Sequence, residues 1–170
     1  MNHQNFEKKW VDAYNKMMER LHHIREDAEE QTLPNIQRQI DAAKRHAVEL
    51  KELTVDEAEM VAAYLRRDLH DAANYLENTG KELSSWLTFD LQLVEERLWD
   101  WFTSVADKTR LELSQLTADS PVTKPYHSGD ITTIGSLICL GCGEQLDFKE
   151  TRLIPPCPRC GHTLYQRKDY

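Results

Sequence analysis

The segment CLGCGEQLDFKETRLIPPCPRCG, residues 139–161, contains every cysteine of the chain. The cysteines form two Cys-x-x-Cys pairs with 14 residues between them, and a glycine follows each pair. Two cysteines three positions apart on a tight turn can direct both sulfurs at one ion, and glycine suits the positive φ that such a turn requires. The spacing therefore predicts a tetrahedral metal site whose ligands are Cys139, Cys142, Cys157 and Cys160.

The donor set also indicates the role of the metal. Four thiolates complete a tetrahedral shell and leave no position for a catalytic water, so we expect a structural ion, one Zn²⁺ per chain. Two alternatives stay open from the sequence: a rubredoxin-like iron site in the same four cysteines, and a thiol redox switch that releases its metal. A thioredoxin-type Cys-x-x-Cys would need a βαβ context, which this sequence does not provide.

Short β-like segments surround the two pairs. They are ITTIGSLI at 131–138, QLDF at 145–148 and TLYQR at 163–167. Their β-branched and aromatic residues, set between Gly and Pro, are typical of short strands. A module of this size buries too little apolar surface to fold without a staple. We therefore predict a zinc ribbon at 131–170, after a linker at 119–130 that is rich in Pro, Gly and small polar residues.

Residues 1–118 predict an acidic, coiled-coil-like helical domain. Pro34 and Gly80 are its only helix-breaking residues, and Thr54 with Glu57 forms a capping box at the start of a third helix. Apolar residues recur every three or four positions in each segment. The stripes are Trp10, Tyr14, Met17, Leu21, Ile24 and Ala28; Ile36, Ile40, Ala43, Ala47 and Leu50; and Ala58, Ala62, Leu65, Leu69, Ala72 and Leu76.

A fourth segment, 81–118, has the pattern of one long helix. Short breaks near Pro34 and Gly80 favour antiparallel neighbours. The sequence thus predicts a mainly α protein: an elongated antiparallel helical hairpin or bundle, followed by a small C-terminal β zinc ribbon. We expect the two parts to fold independently, and we expect the long apolar stripe to allow self-association into homo-oligomers.

Charge and composition limit the function. The net charge is −8 and 29% of the residues are charged, while residues 119–170 hold six basic and six acidic residues and are neutral. An acidic body disfavours bulk binding to nucleic acid or to anionic membranes. The sequence has no signal peptide and no spanning segment, so a cytoplasmic protein is expected, where thiols stay reduced. It also has no phosphate loop, nucleophile elbow or metalloprotease helix, so we expect no enzyme.

Several segments resemble a known family. They are YLRRDL (Tyr64 to Leu69), ADKTRLEL (Ala106 to Leu113), YHSGD (Tyr126 to Asp130) and the two cysteine pairs. Together they resemble the YbeL-like family of bacterial zinc-ribbon-containing proteins, over most of the chain. The resemblance implies an N-terminal helical region and a C-terminal ribbon, and it implies no established activity.

The expected function is a non-enzymatic zinc-binding protein whose ribbon is a docking module. A protein partner is expected, with gene expression as the candidate process. Weak binding of single-stranded nucleic acid is the alternative, because aromatic and basic residues of the ribbon could form a stacking face. Its members would be Phe148, Lys149, Arg152, Arg159, Tyr165, Arg167 and Lys168. The same aromatic residues, Phe148 and Tyr165, would be the anchors of a protein interface.

Overall fold

The computed structural model describes residues 3–26, 35–110, 112 and 125–168. Its helical body contains α1 (His3–Glu26), α2 (Ile36–Glu49), α3 (Val55–Thr79) and α4 (Glu96–Arg110). Residues 119–124, half of the predicted linker, lie outside the described residues, as do residues 113–118 of the predicted helical domain. Residues 125–168 contain the β-strands, and we call this part of the chain the C-terminal module. A mainly α fold with a small C-terminal sheet region is therefore confirmed.

The helices pack as a bundle through the predicted stripes. Each helix contacts the next one along the chain, and α1 also contacts α3 and α4. The pairs Lys44–Glu59 and Asp41–Arg66 show that α2 and α3 run antiparallel. Most of the stripe residues are buried in one core, including Tyr14, Ile40 and Leu65. Leu50 is an exception: it follows the last turn of α2 and is 54% exposed.

Both ends of α3 are the ones that the sequence indicated. The Thr54 hydroxyl accepts a hydrogen bond from the Glu57 backbone N–H at 3.2 Å, and the Glu57 carboxylate accepts one from the Thr54 N–H at 2.9 Å. This capping box starts α3. Gly80 ends the same helix with φ of 63°, a conformation that favours glycine. Short local signals of this kind were sufficient to place both ends of α3.

The single helix predicted at 81–118 is wrong. Two short 3₁₀ turns, Leu83–Trp86 and Leu91–Leu93, precede α4. Side chains that bind backbone amides interrupt the helix: Asp90 accepts from the Gln92 N–H, and Glu95 accepts from the Leu98 N–H. In addition, the Thr88 hydroxyl contacts the Ser136 hydroxyl at 2.9 Å, which anchors the irregular segment to the C-terminal module. Among the described residues no helix is long and apolar enough to cross a membrane.

The C-terminal module consists of two small antiparallel sheets. The strands are β1 (Tyr126–His127), β2 (Ile131–Thr132), β3 (Gly135–Cys139), β4 (Gln145–Phe148), β5 (Arg152–Leu153) and β6 (Leu164–Arg167). The larger sheet has the order β1-β6-β3-β4, and β2 pairs with β5. The predicted segment 131–138 contains β2 and most of β3. The segments 145–148 and 163–167 correspond to β4 and β6. β1 and β5 are two residues long and were not anticipated, and β1 lies inside the segment assigned to the linker.

The C-terminal module packs closely on the helical body. Four successive residues, Ile131 to Ile134, are completely buried. Ile131 belongs to the core of the helical bundle, whereas Ile134 packs with Val94 and Leu98 near the start of α4. The Thr151 hydroxyl donates to the Asn15 side chain of α1 at 2.6 Å. Independent folding of the two parts stays a prediction, and this continuous buried contact argues against it.

Candidate metal centre

The structure brings all four cysteines together. Their Sγ atoms lie within 4.8 Å of one another. Cys139 and Cys160 are 3.7 Å apart, and Cys142 and Cys157 are 3.6 Å apart. These distances are too long for disulfides, whose S–S bond is about 2.05 Å. They match the edge of about 3.8 Å that a tetrahedron with metal–sulfur bonds of about 2.3 Å would have.

The two cysteine turns have the same backbone structure. In the first, the Cys139 carbonyl accepts from the Gly143 N–H at 2.9 Å, and in the second the Cys157 carbonyl accepts from the Gly161 N–H at 2.8 Å. Both glycines have positive φ, 75° and 74°. The N–H of the first cysteine of each pair also donates to a carbonyl five residues later. The glycines therefore close two equivalent turns whose sulfurs converge on one point.

Backbone amides point at the sulfurs. The Gly141 N–H donates to the Cys139 Sγ at 3.3 Å. Burial raises the pKa of the Cys157 thiol, but the backbone amides of Cys160 and Arg159 and the neighbouring thiols outweigh it and lower that pKa to about 7. The Glu144 amide lowers the pKa of Cys142, yet burial and the other thiols raise it to about 12. Without a cation, one thiolate thus hinders ionisation of the next, whereas a bound cation would stabilise all four.

These residues fit a metal ion by donor type, number and spacing. The family comparison agrees, because residues 22–169 match the model of the zinc-ribbon containing domain. The chain belongs to this family. It is also 32% identical over 142 residues to "Uncharacterized protein YbeL" of Escherichia coli K12, an alignment that covers 81% of this chain and 88% of the relative. The YbeL proteins of the strains CFT073 and O157:H7 match equally. No solved structure matches significantly.

The two cysteine turns are closely packed against each other. A Cβ added to Gly141 would lie 3.0 Å from the His162 side chain and 3.4 Å from the Cys160 Sγ. Arg159 and Glu144 add an ion pair at 3.6 Å between the two turns. His162 therefore occupies space beside the cluster. Any larger residue at position 141 would crowd His162. Glycine suits this position because the two turns approach closely, and not because of its backbone φ, which is not positive.

The cluster is open to solvent on one side. Cys139 and Cys157 are buried, Cys142 is half-buried and Cys160 is exposed. Leu140, at the tip of the first turn, is 50% exposed. The sulfurs of the exposed side are thus within reach of solvent, and the turn tip presents an apolar side chain.

The predicted basic and aromatic face is not formed. Phe148 is 2% exposed and Tyr165 is fully buried, so neither can stack with a base or anchor a partner. Arg167 is also withdrawn from the surface, with only 8% of its side chain exposed. Arg152 and Arg159 do lie at the surface. Both aromatic residues fill the core of the C-terminal module next to the cysteines, because its few strands need large apolar side chains there.

A buried charge network, which sequence reasoning missed, joins the module to the helices. We call it the Asp68 network; its members are Tyr14, Arg67, Asp68, Asp71, Tyr126, Asp130 and Arg167. Asp68 is completely buried. It accepts hydrogen bonds from the Tyr14 hydroxyl at 2.8 Å, from the Thr133 N–H at 3.2 Å and from Arg167 at 3.4 Å.

Two arginines lie against the ring of Tyr126. The Arg67 guanidinium lies 3.8 Å from the centre of the Tyr126 ring, and the Arg167 guanidinium lies 4.7 Å from it. The Tyr126 hydroxyl donates to Asp71 and accepts from Arg167 at 2.8 Å. Burial raises the pKa of Asp71, but hydrogen bonds from His70 and Tyr126 and the Arg167 charge outweigh it, so this pKa lies below its ordinary value. The segments YLRRDL and YHSGD therefore meet in this network.

Proposed function

We propose that the protein is a non-enzymatic zinc-binding protein. One Zn²⁺ per chain would be held by Cys139, Cys142, Cys157 and Cys160. The convergence of the four sulfurs carries this proposal, because four thiolates complete the shell of a tetrahedral ion and leave no place for a substrate or a catalytic water. A cytoplasmic location fits the proposal, since reduced thiols are needed as ligands.

Metal analysis of the purified protein tests the zinc site. We expect one zinc per chain by elemental analysis, and a cobalt-substituted protein with the visible absorption of tetrahedral thiolate coordination. Stoichiometric iron and a red colour would instead support the rubredoxin-like alternative, which uses the same geometry. Protein that is folded, fully reduced and free of metal would contradict the proposal. Formation of two disulfides under mild oxidant, with loss of metal, would favour the redox switch.

The C-terminal module is proposed to dock on a protein partner, with gene expression as the candidate process. Its apolar Leu140 lies in the hydrogen-bonded turn between Cys139 and Cys142 and is half exposed. A nucleic-acid role has less support, because the aromatic residues needed for stacking are buried and the net charge is −8. An exposed apolar side chain on a hydrogen-bonded turn suits a protein surface, where it can fill a pocket.

Two variants test the docking role. Leu140→Ser removes the apolar tip, and Leu50→Ser removes a leucine of similar exposure, 54%, from the end of α2. Affinity capture from the host should recover a partner with the wild type and with Leu50→Ser, but much less of it with Leu140→Ser. Equal recovery with both variants would contradict docking through the metal-site turn. Recovery that disappears after nuclease treatment would support the nucleic-acid alternative.

A further inference from the structure

The contact between the C-terminal module and the helices depends on charges from both sides. α3 supplies Arg67, Asp68 and Asp71, while the module supplies Asp130 and Arg167. Arg67 donates to the Asp130 carboxylate at 2.9 Å and to the Ile131 carbonyl at 2.7 Å. The charges pair across the contact: Arg67 of α3 with Asp130, and Arg167 of the module with Asp68 and Asp71. Separation of the two parts would remove from Asp68 the hydrogen bonds that Arg167 and the Thr133 N–H donate to it in the docked structure.

Arg167 is the member of the network most directly connected to the cysteines. It ends β6, which begins four residues after Cys160. In the pairing of β3 with β6, Leu137 lies opposite Arg167 and Cys139 lies opposite Tyr165. The cysteine turns and Arg167 thus occupy opposite ends of the same pair of short strands. Any change that releases these strands from each other also displaces Arg167.

The position of Arg167 depends on close contacts that a displaced strand would lose. A Cβ on Gly135 of β3 would lie 2.5 Å from the Arg167 Nη1. The guanidinium also lies 4.9 Å from the centre of the Trp86 ring, in the segment before α4. Arg167 therefore contacts the helical body through Asp68, Asp71 and Trp86, but only while β6 keeps its register with β3.

We infer that metal occupancy of the four cysteines controls the docking of the C-terminal module on the helical body, with Arg167 as the connecting residue. Metal loss frees the cysteine turns, the pairing of β3 with β6 is lost, and Arg167 leaves Asp68 and Asp71. The faces of α1 and α3 that carry Tyr14 and Asp68 then become accessible. This inference rests on the proposed metal site and adds a conformational response to it.

The first experiment follows metal content and helix protection in the same samples of the full chain. Zinc is removed with a strong chelator under reducing conditions, and amide hydrogen exchange is read by mass spectrometry. We expect faster exchange in α1 near Tyr14 and in α3 near Asp68, with the smallest change in α2, which packs on α1 and α3. Complete loss of metal with unchanged exchange in α1 and α3 would overturn the inference and leave the metal site intact. Protein that never binds metal would overturn the proposed function itself.

The second experiment uses the reciprocity of coupled equilibria. If metal binding favours docking, then weakening of the docked state must weaken metal binding by the same factor. Arg167→Gln should lower zinc affinity by about tenfold in competition with a chromophoric chelator. Arg152→Gln, at an exposed position of β5, is the matched control and should leave the affinity unchanged. Unchanged affinity in folded Arg167→Gln would overturn the inference, and the chelation experiment decides it if that variant does not fold.

Discussion

The metal centre and the Asp68 network differ in how their residues are distributed along the chain. All four cysteines lie in one segment, 139–161, and their turns are closed by local hydrogen bonds. The members of the network come from α1, α3, β1, β6 and the turn before β2. The first site could be recognised from spacing alone. The second exists only because the module packs on the helices.

From this difference we expect the two sites to stabilise different parts of the molecule. A bound metal would add to the small apolar core of the C-terminal module, which has few strands. The network instead fixes how that module is oriented on the bundle, since it places charges where only a matching partner neutralises them. Five changes test the distinction, and they are given from the largest expected effect to the smallest.

Cys142→Ser should have the largest effect. The variant should lose tight metal binding and the folded structure of the C-terminal module, because structural zinc contributes about 10–16 kcal/mol to the folding of small metal-binding peptides. Elemental analysis and two-dimensional NMR measure the two losses. Lys149→Ser, at an exposed site of the same module, should retain both. Full metal content in Cys142→Ser would show that this residue is not a ligand.

Asp68→Ala should destabilise the protein although all four cysteines remain in place. The change leaves Arg67 and Arg167 buried without this carboxylate, which costs about 3–5 kcal/mol of unfolding free energy. Denaturant unfolding of the zinc-loaded protein measures the cost. Glu77→Ala, at an exposed site of the same helix, should change stability by less than about 0.5 kcal/mol. Equal effects of the two substitutions would mean that the network is not a source of stability.

Gly135→Ala should separate backbone strain from crowding. Gly135 has φ of 137°, and an added Cβ would meet the Arg167 guanidinium. Strain and overpacking together should cost about 2–4 kcal/mol. Gly143→Ala also places an alanine at a positive φ, but its Cβ would enter open space, so this variant should lose only about 1–2 kcal/mol of stability. Thermal unfolding of the zinc-loaded variants gives the comparison, and the reverse order would contradict the packing of Arg167 on Gly135.

Gly141→Ala should weaken the metal centre through crowding alone. Its Cβ would press on His162 and the Cys160 sulfur, so zinc affinity should fall about 10–100-fold, the usual effect of changes around metal ligands. Affinity should recover in part when His162→Gly is added, because glycine removes both the Cβ and the Cγ that the new methyl group would meet at 3.0 Å. Competition with a chromophoric chelator measures all three variants. No recovery in the double variant would place the conflict at the Cys160 sulfur instead of His162.

Lys44→Ala should have the smallest effect. The Lys44–Glu59 pair joins α2 and α3 at the surface, with 56% of the Glu59 side chain exposed. Exposed ion pairs contribute about 0.2–1 kcal/mol, and salt screens them. A double-mutant cycle with Glu59→Ala in denaturant unfolding isolates the pair. A coupling energy near that of the Asp68 network would remove the contrast between buried and surface charges.

The sequence by itself determined the parts that depend on neighbours along the chain. The turns around Cys139 and Cys157, the capping box at Thr54 and the left-handed Gly80 each follow from a few adjacent residues. The apolar stripes placed the first three helices for the same reason, because helical periodicity is local. The convergence of the two cysteine pairs followed as well, since their donor chemistry favours a shared ion.

Only the tertiary structure decided the conformation, burial and pairing of residues whose surroundings come from distant segments. The pattern at 81–118 favoured one helix, but contacts of Thr88 with the C-terminal module accompany its division. Phe148 and Tyr165 looked available for recognition, whereas the module needs them as its core. Neither the sequence around Asp68 nor the sequence around Arg167 predicts that these two residues pair. Long-range burial decides such pairs, because a charge gains a specific partner only after folding has removed water from both.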